Sequence, residues 1–339
     1  MADKTRIGII GGGAWGTALA TAVRRAGCAA ILWAREPDTV EAINERHENL
    51  GYLAGISLDP EIRATADLAE AAAEADVLLL VAPAQHTRSV IRDLAPAMAP
   101  GTPLVICAKG IESGSGLLMS EVVAETLLET PGAGTPLAVL SGPSFAHEVA
   151  RDLPTALTLA ATDGALAEHL AGLLGSRNFR PYHGGDPIGA QIGGAVKNVI
   201  AIACGIAAGR GLGDNAGAAL ITRGLAEMAR LGAALGARRE TLMGLSGLGD
   251  LVLTCSHEQS RNFSLGMAIG RGQALDDYLA GRPTVAEGVA SAQATVLLAS
   301  RHGVEMPIAA AVDEVLNQGA DIDGEIAGLL ARPSAPEMI

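Results

Sequence analysis

At 339 residues the chain exceeds the ~250–300 residues at which a single hydrophobic core stops growing, so two domains are expected. Hydrophobic residues at 49% exclude a disordered chain, and a net charge of −13 argues against a nucleic-acid partner, because a surface of that sign repels polyanions. The mean hydropathy of +0.31 comes from scattered alanine and leucine; with no unbroken apolar run of the ~20 residues a span needs, an integral membrane protein is not expected.

The chain opens "MADKTRIGIIGGG", where glycines interrupt the apolar stretch too early for a signal peptide. Five near-continuous apolar runs follow: "RIGIIG" (6–11), "AAILWA" (29–34), "DVLLLVAP" (76–83), "PLVICAKG" (103–110) and "PLAVLSGP" (136–143). That is the pattern of strands buried on both faces. Helical patterns at 14–26, 85–98 and 117–130 lie between them, so the alternation predicts a parallel, doubly wound sheet. "TALTLAA" (155–161) and "NFRPYH" (178–183) read as two weaker strands.

Past residue 186 the strand signal stops. Ala, Leu and Gly-rich segments at 189–208, 217–235 and 289–302 predict an all-helical second half. The expected division is 1–186 for the α/β domain, 187–332 for the helical domain and 333–339 for a loose tail. Cys28, Cys107, Cys204 and Cys255 are far apart in apolar surroundings, which fits reduced thiols better than disulfides or a metal site and suggests a cytoplasmic protein.

Gly11, Gly13 and Gly16 form G-x-G-x-x-G between a predicted strand and a predicted helix. One glycine serves the tight turn, one the approach of a pyrophosphate to the backbone, and one the packing of helix on strand. A glycine turn that only packs helix on strand is the plainer alternative. At the end of the second strand, Arg35 is placed to pair with a 2′-phosphate, which favours NADP(H) or the use of both NADP(H) and NAD(H); Glu36, one place further on, is read as facing solvent.

Lys109, directly after a buried strand, is a candidate ligand for an anionic or carbonyl-bearing substrate, or else a cap on strand-end carbonyls. "SGPSFAHEV" contributes Gly142 and Ser144 at another strand end. In "GGAVKNVIAIACG", Ile192, Val196, Val199 and Ala203 form an apolar stripe. Lys197 lies off it and would lean over Gly193 and Gly194, where no side chain obstructs a ligand; a snorkelling flank lysine is the alternative. Asp250 follows a glycine turn and would orient such a lysine, while Ser260, Arg261 and Asn262 suit a phosphate.

The blocks "GGGAWGTALA", "AKGIE", "SGPSFAHEVA", "GGAVKNVIAIACGI", "ALITRGLAEMARLG", "GLGDLVLTC", "SRNFSLG" and "VAEGV" occur in this order and resemble the bacterial NAD(P)-dependent glycerol-3-phosphate dehydrogenases nearly end to end. The resemblance implies a Rossmann-type domain followed by an all-helical substrate domain. It also implies reversible reduction of dihydroxyacetone phosphate to sn-glycerol 3-phosphate, the backbone of glycerophospholipids. By that similarity Lys197 is the general acid and base. Substrate contacts carry over to Lys109, Gly142, Ser144, Lys197, Asp250, Ser260, Arg261 and Asn262. Cofactor contacts carry over to Gly11, Gly13, Trp15, Gly16, Arg35, Lys109, Ala146, Arg261, Val285 and Glu287. A homodimer is compatible with the resemblance. "YLAG" (52–55) and "ARDLPTA" (150–156) depart from the family pattern in loops and bear on none of these residues. The rival readings are a related two-domain 3-hydroxy acid dehydrogenase, which would need a carboxylate clamp, and a non-catalytic NAD(P)-sensing protein, which would have no use for Lys197 and Asp250.

Overall fold

The apolar runs of the first half pair edge to edge in the computed structural model, which describes residues 4–280 and 287–333. Eight strands form one sheet: β1 (Arg6–Ile10), β2 (Ala29–Trp33), β3 (Ile62–Thr65), β4 (Val77–Leu80), β5 (Leu104–Ile106), β6 (Leu137–Ser141), β7 (Thr155–Ala161) and β8 (Phe179–Gly184). Their order is β3-β2-β1-β4-β5-β6-β7-β8. From β3 to β6 every pair is parallel, whereas β6 and β7 are antiparallel. The sheet is thus mostly rather than wholly parallel. In the parallel part the chain reverses direction of travel between β1 and β4, which is where doubly wound sheets open a crevice at their carboxyl ends.

β3, "IRAT", falls in none of the predicted runs. Arg63 is exposed while Ile62, Ala64 and Thr65 are buried, so an edge strand of four residues carries too short an apolar signal to stand out. The single helix predicted over 85–98 is broken into Ala84–His86, Thr87–Leu94 and Ala95–Ala97, the last piece being a 3₁₀ turn that contains Pro96.

The chain divides into two compact units, one of residues 1–108 and 119–187, the other of 109–118 and 188–339. The stretch 109–118 therefore groups with the helices although in sequence it lies among the strands. Among the described residues the second unit contains no strand. The predicted tail at 333–339 lies outside the described residues except for Pro333.

The axis of the second unit is the 23-residue helix Pro187–Gly209. It is long and apolar enough to cross a bilayer by length and composition, but most of it is buried inside the protein. Burial extends all round it, so the apolar stripe expected on one face is in fact the whole circumference. The approach of its neighbour explains the glycines. A Cβ on Gly205 would lie 2.1 Å from the Phe263 carbonyl oxygen, and one on Gly266 2.1 Å from that of Ile202. Gly209 and Gly270 repeat the arrangement one turn on, so the helix Arg261–Gly270 lies backbone to backbone against the long helix. This crossing fixes where Ser260, Arg261 and Asn262 begin their helix.

Candidate active site

Gly193 brings the carboxylate to the lysine. A Cβ there would meet the Ser246 carbonyl oxygen at 2.2 Å, so the Leu245–Gly249 turn rests directly on the long helix one turn before Lys197. The glycine is thus filled by backbone and is not an open platform for a ligand, which corrects the expectation from sequence. The short helix Asp250–Cys255 follows that turn, and Asp250 in its first turn is 1% exposed.

Asp250 receives two ammonium groups. Lys197 Nζ lies 3.0 Å from Oδ1 and Lys109 Nζ 2.7 Å from Oδ2. Thr254, one helical turn after Asp250, joins them: its hydroxyl accepts from Lys197 Nζ at 2.8 Å and donates to Asp250 Oδ1 at 3.2 Å. Two of the three ammonium hydrogens of Lys197 are thereby used, and the third has no partner among the described residues. The cluster holds two cations and one anion, a local excess of positive charge in a chain whose net charge is −13.

Burial pushes the Lys197 ammonium below its ordinary value; Asp250 opposes this and the Lys109 charge adds to it. The neighbouring Cys255 thiol is pushed well up by burial and by Cys204, so it stays a neutral thiol, and all four cysteines are free and buried.

A second set of hydrogen bonds ties the polar triplet to this cluster. Asn198 donates to the Lys109 carbonyl oxygen at 3.1 Å, and Asn262 donates to Asn198 Oδ1 at 2.9 Å. The backbone N–H of Gly288 donates to Asn262 Oδ1 at 3.1 Å, beside Glu287 at the start of the helix Glu287–Arg301. Ser260 caps the helix Arg261–Gly270 by accepting from the Phe263 N–H, and Arg261 is exposed in the first turn. A cation at a helix N-terminus opposes the macrodipole, an arrangement that an anionic ligand would relieve. Val285 lies outside the described residues.

The first unit has the dinucleotide features. Gly11 follows β1 with φ +136°, and its N–H donates to the Trp33 carbonyl at the end of β2. A Cβ on Gly16 would stand 1.8 Å from the Gly11 carbonyl oxygen, whereas one on Gly13, the N-cap of the helix Ala14–Arg25, would meet nothing within 4 Å. Space in front of a helix N-terminus is what a pyrophosphate requires. The buried Trp15 indole N–H has no hydrogen-bond partner among the described residues, a further sign that the residues fit a bound nucleotide. Asn49 braces the loop, donating to the Gly12 carbonyl at 2.9 Å and to Thr17 Oγ1 at 2.8 Å. Arg35 and Glu36 stand just past β2. Gly142, with φ +143°, directly follows β6, its carbonyl accepts from Ser144 Oγ, and Ala146 starts the helix Ala146–Ala150.

The structure therefore gathers Lys109, Lys197, Asp250 and Asn262 in one unit and the glycine loop with Arg35 in the other. Sequence reading missed three residues: Thr254, Asn198 as a donor, and Asn49. Only Thr254 left a signal, its i, i+4 spacing from Asp250 on one helix face.

Two family models match the chain, the N-terminal domain of NAD-dependent glycerol-3-phosphate dehydrogenase over residues 6–167 and its C-terminal domain over 186–327. The chain belongs to this family. It is 59% identical over 327 residues to the glycerol-3-phosphate dehydrogenase [NAD(P)+] of Rhodospirillum rubrum, covering 96% of this chain and 92% of that protein. It is 57% identical over 332 residues to the Caulobacter vibrioides enzyme of the same name, covering 98% of each. The crystal structure of glycerol-3-phosphate dehydrogenase from Coxiella burnetii superposes with a TM-score of 0.92 at 39% identity, covering 97% of this chain and 99% of that one. The expected fold class, a Rossmann-type sheet followed by a helical domain, holds, and the chain is an NAD(P)-dependent oxidoreductase.

Replacing Asp250 by Asn removes the anion that favours the Lys197 ammonium and leaves the Lys109 charge and the burial. The pKa of Lys197 should fall further in Asp250→Asn, read by NMR of isotope-labelled lysine; an unchanged or higher value would show that the pair does not control this lysine.

Proposed function

We propose that the protein reduces dihydroxyacetone phosphate reversibly to sn-glycerol 3-phosphate with NAD(P)H, with Lys197 as the proton donor. Full-length relatives with that activity in their names support the reaction. The observation that supports the assignment of Lys197 is its buried ammonium, with two hydrogens held by Asp250 and Thr254 and one left over.

The dinucleotide, when bound, supplies the hydride. Gly11, Gly13, Gly16 and Trp15 provide its seat, with Ala146, Val285 and Glu287 as further contacts on the strength of the family resemblance. Lys197 gives its proton to the ketone oxygen as that oxygen gains negative charge, and in the reverse direction the neutral amine takes the hydroxyl proton. Burial makes this ammonium a stronger acid than a surface lysine, which suits donation near neutral pH. Asp250 keeps both ammonium groups in place and is not itself the proton donor. Lys109, Ser260, Arg261 and Asn262 bind the phosphorylated ketone, with Gly142 and Ser144 as contacts from the end of β6. Glycerol 3-phosphate made in this way supplies glycerophospholipid synthesis, and four reduced, buried cysteines accord with a cytoplasmic location.

A second copy of the chain is the macromolecular partner we propose. The helical unit has an apolar groove of about 1170 Å³, lined by Leu212, Leu220, Val312, Ile326 and Leu330 among others. Arg223, Arg230 and Arg332 line it together with Glu305 and Glu325. A patch with both signs of charge around an apolar centre can be complementary to itself, as a two-fold interface requires. Sedimentation equilibrium should give twice the chain mass, and a monomer at micromolar concentration would contradict it.

The reaction is tested by following NADPH oxidation with dihydroxyacetone phosphate. Lys197→Ala should lose about 10²- to 10⁴-fold in kcat while it still binds NADPH, with a lowered melting temperature because Asp250 keeps only the Lys109 ammonium as a partner. Arg261→Ala should act mainly on the KM for the phosphorylated ketone. Turnover of a 3-hydroxy acid in place of dihydroxyacetone phosphate, or substantial activity in Lys197→Ala, would overturn the assignment.

A further inference from the structure

Gly12 and Gly13 stand side by side at the bend between β1 and the helix Ala14–Arg25, so the peptide that joins them has no Cβ on either flank. A Cβ on Gly12 would lie 2.4 Å from the Ala34 methyl, so no larger residue can take its place and stiffen the bend. A peptide between two glycines turns over at little steric cost, and hydrogen bonds must decide which way it faces. The direction matters where an anion is to be held. A trans peptide is planar, with its C=O and N–H pointing opposite ways, so turning it over exchanges a donor for an acceptor.

Asn49 holds this peptide from the inside. Its Nδ2 donates to the Gly12 carbonyl at 2.9 Å and to Thr17 Oγ1 at 2.8 Å, and the Thr17 hydroxyl donates in turn to the Gly13 carbonyl at 2.9 Å. The Gly12 carbonyl can only accept, so the network itself requires the amide nitrogen of Asn49 on that side. Both Asn49 and Thr17 are buried. Asn49 is carried to the loop by a segment anchored elsewhere. Its own carbonyl accepts from the Leu53 N–H at 2.7 Å, Leu53 and Leu58 are buried in the core, and Asn44 bonds to both the N–H and the carbonyl of Ala64 in β3. With the Gly12 carbonyl turned in to Asn49, the Gly13 N–H points the opposite way. That N–H has no partner among the described residues, and a Cβ on Gly13 would meet nothing within 4 Å.

We propose that Asn49 is a positioning residue for the dinucleotide: by keeping the Gly12 carbonyl inward, it presents the Gly13 N–H to the pyrophosphate before the ligand arrives. Asn49 acts through the loop and not by contact with the ligand. In the turned-over peptide the Gly12 carbonyl oxygen would face the phosphates with partial negative charge of its own. A donor already aimed at the anion needs no reordering on binding, so the network contributes to affinity even though its bonds lie beneath the site. The inference rests on the reading that the glycine loop seats the dinucleotide.

ADP-ribose carries the pyrophosphate without the nicotinamide, and its calorimetric titration into the full-length protein reads the loop alone. Asn49→Asp keeps the shape but sets a carboxylate against the Gly12 carbonyl; at pH 8 it should bind ADP-ribose about tenfold more weakly than the unaltered protein, the scale of one lost buried hydrogen bond. Burial raises the pKa of the introduced carboxyl above its usual value, and on protonation it regains a hydrogen to donate. Between pH 8 and 5.5 the deficit of Asn49→Asp, taken as a ratio to the unaltered protein at each pH, should therefore shrink, while that of Asn49→Ala stays constant. The KM for NADPH should rise with kcat at saturating cofactor nearly unchanged. Thr17→Val, which removes the acceptor and leaves Asn49 in place, should weaken ADP-ribose about threefold and serves if the carboxylate prevents folding. Unchanged ADP-ribose affinity in whichever of these variants folds overturns the inference, as does a deficit in Asn49→Asp that acid does not relieve. If ADP-ribose fails to bind the unaltered protein, the dinucleotide reading fails and the inference with it; equal binding by the unaltered protein and Asn49→Asp overturns the inference alone.

Discussion

A carboxylate that is 1% exposed cannot stay ionised without partners, and Asp250 has two ammonium groups as partners. Much of the helical unit can be understood as the means of meeting that requirement. Gly193 lets the turn before Asp250 lie on the long helix, Thr254 bonds to both acid and lysine, and Asn198 holds the backbone from which Lys109 reaches in. Taking away one member of a buried ion pair typically costs about 3–5 kcal/mol, because the charge left behind has no solvent. With two cations for one anion, the cluster keeps an excess positive charge that can be satisfied by a ligand.

That excess links packing to chemistry. The chain as a whole repels a phosphorylated ketone, so attraction must be local, and the exposed Arg261 at a helix N-terminus adds to it. The glycine contacts between the helices Pro187–Gly209 and Arg261–Gly270 are what place that N-terminus beside Asn198. Side chains larger than hydrogen at Gly205 or Gly266 would force the helices apart and move Ser260, Arg261 and Asn262 away from the long helix that carries Lys197. Stability and function share this crossing.

The fold was largely legible because buried parallel strands are written as unbroken apolar runs, and five of them could be read directly. β3 could not, since a four-residue edge strand with one exposed position has too little pattern. The antiparallel pairing of β6 with β7 was invisible for another reason: direction depends on the connection, not on the residues of the strand. At the site, Lys109, Lys197 and Asp250 could be singled out as charges in apolar or glycine-rich surroundings. Their mutual bonds could not, because they come from segments up to 141 residues apart. Gly193 was read as open space because sequence does not reveal which backbone passes over a glycine.

Proton donation by Lys197 is the claim on which the rest of the account depends, and chemical rescue tests it most directly. Primary amines such as methylamine, added to Lys197→Ala, should restore dihydroxyacetone phosphate reduction in proportion to the concentration of their ammonium form, with more acidic ammonium ions of similar size giving faster rates. A variant whose residual rate is indifferent to every amine, while it still binds cofactor and substrate, would contradict proton donation from this position.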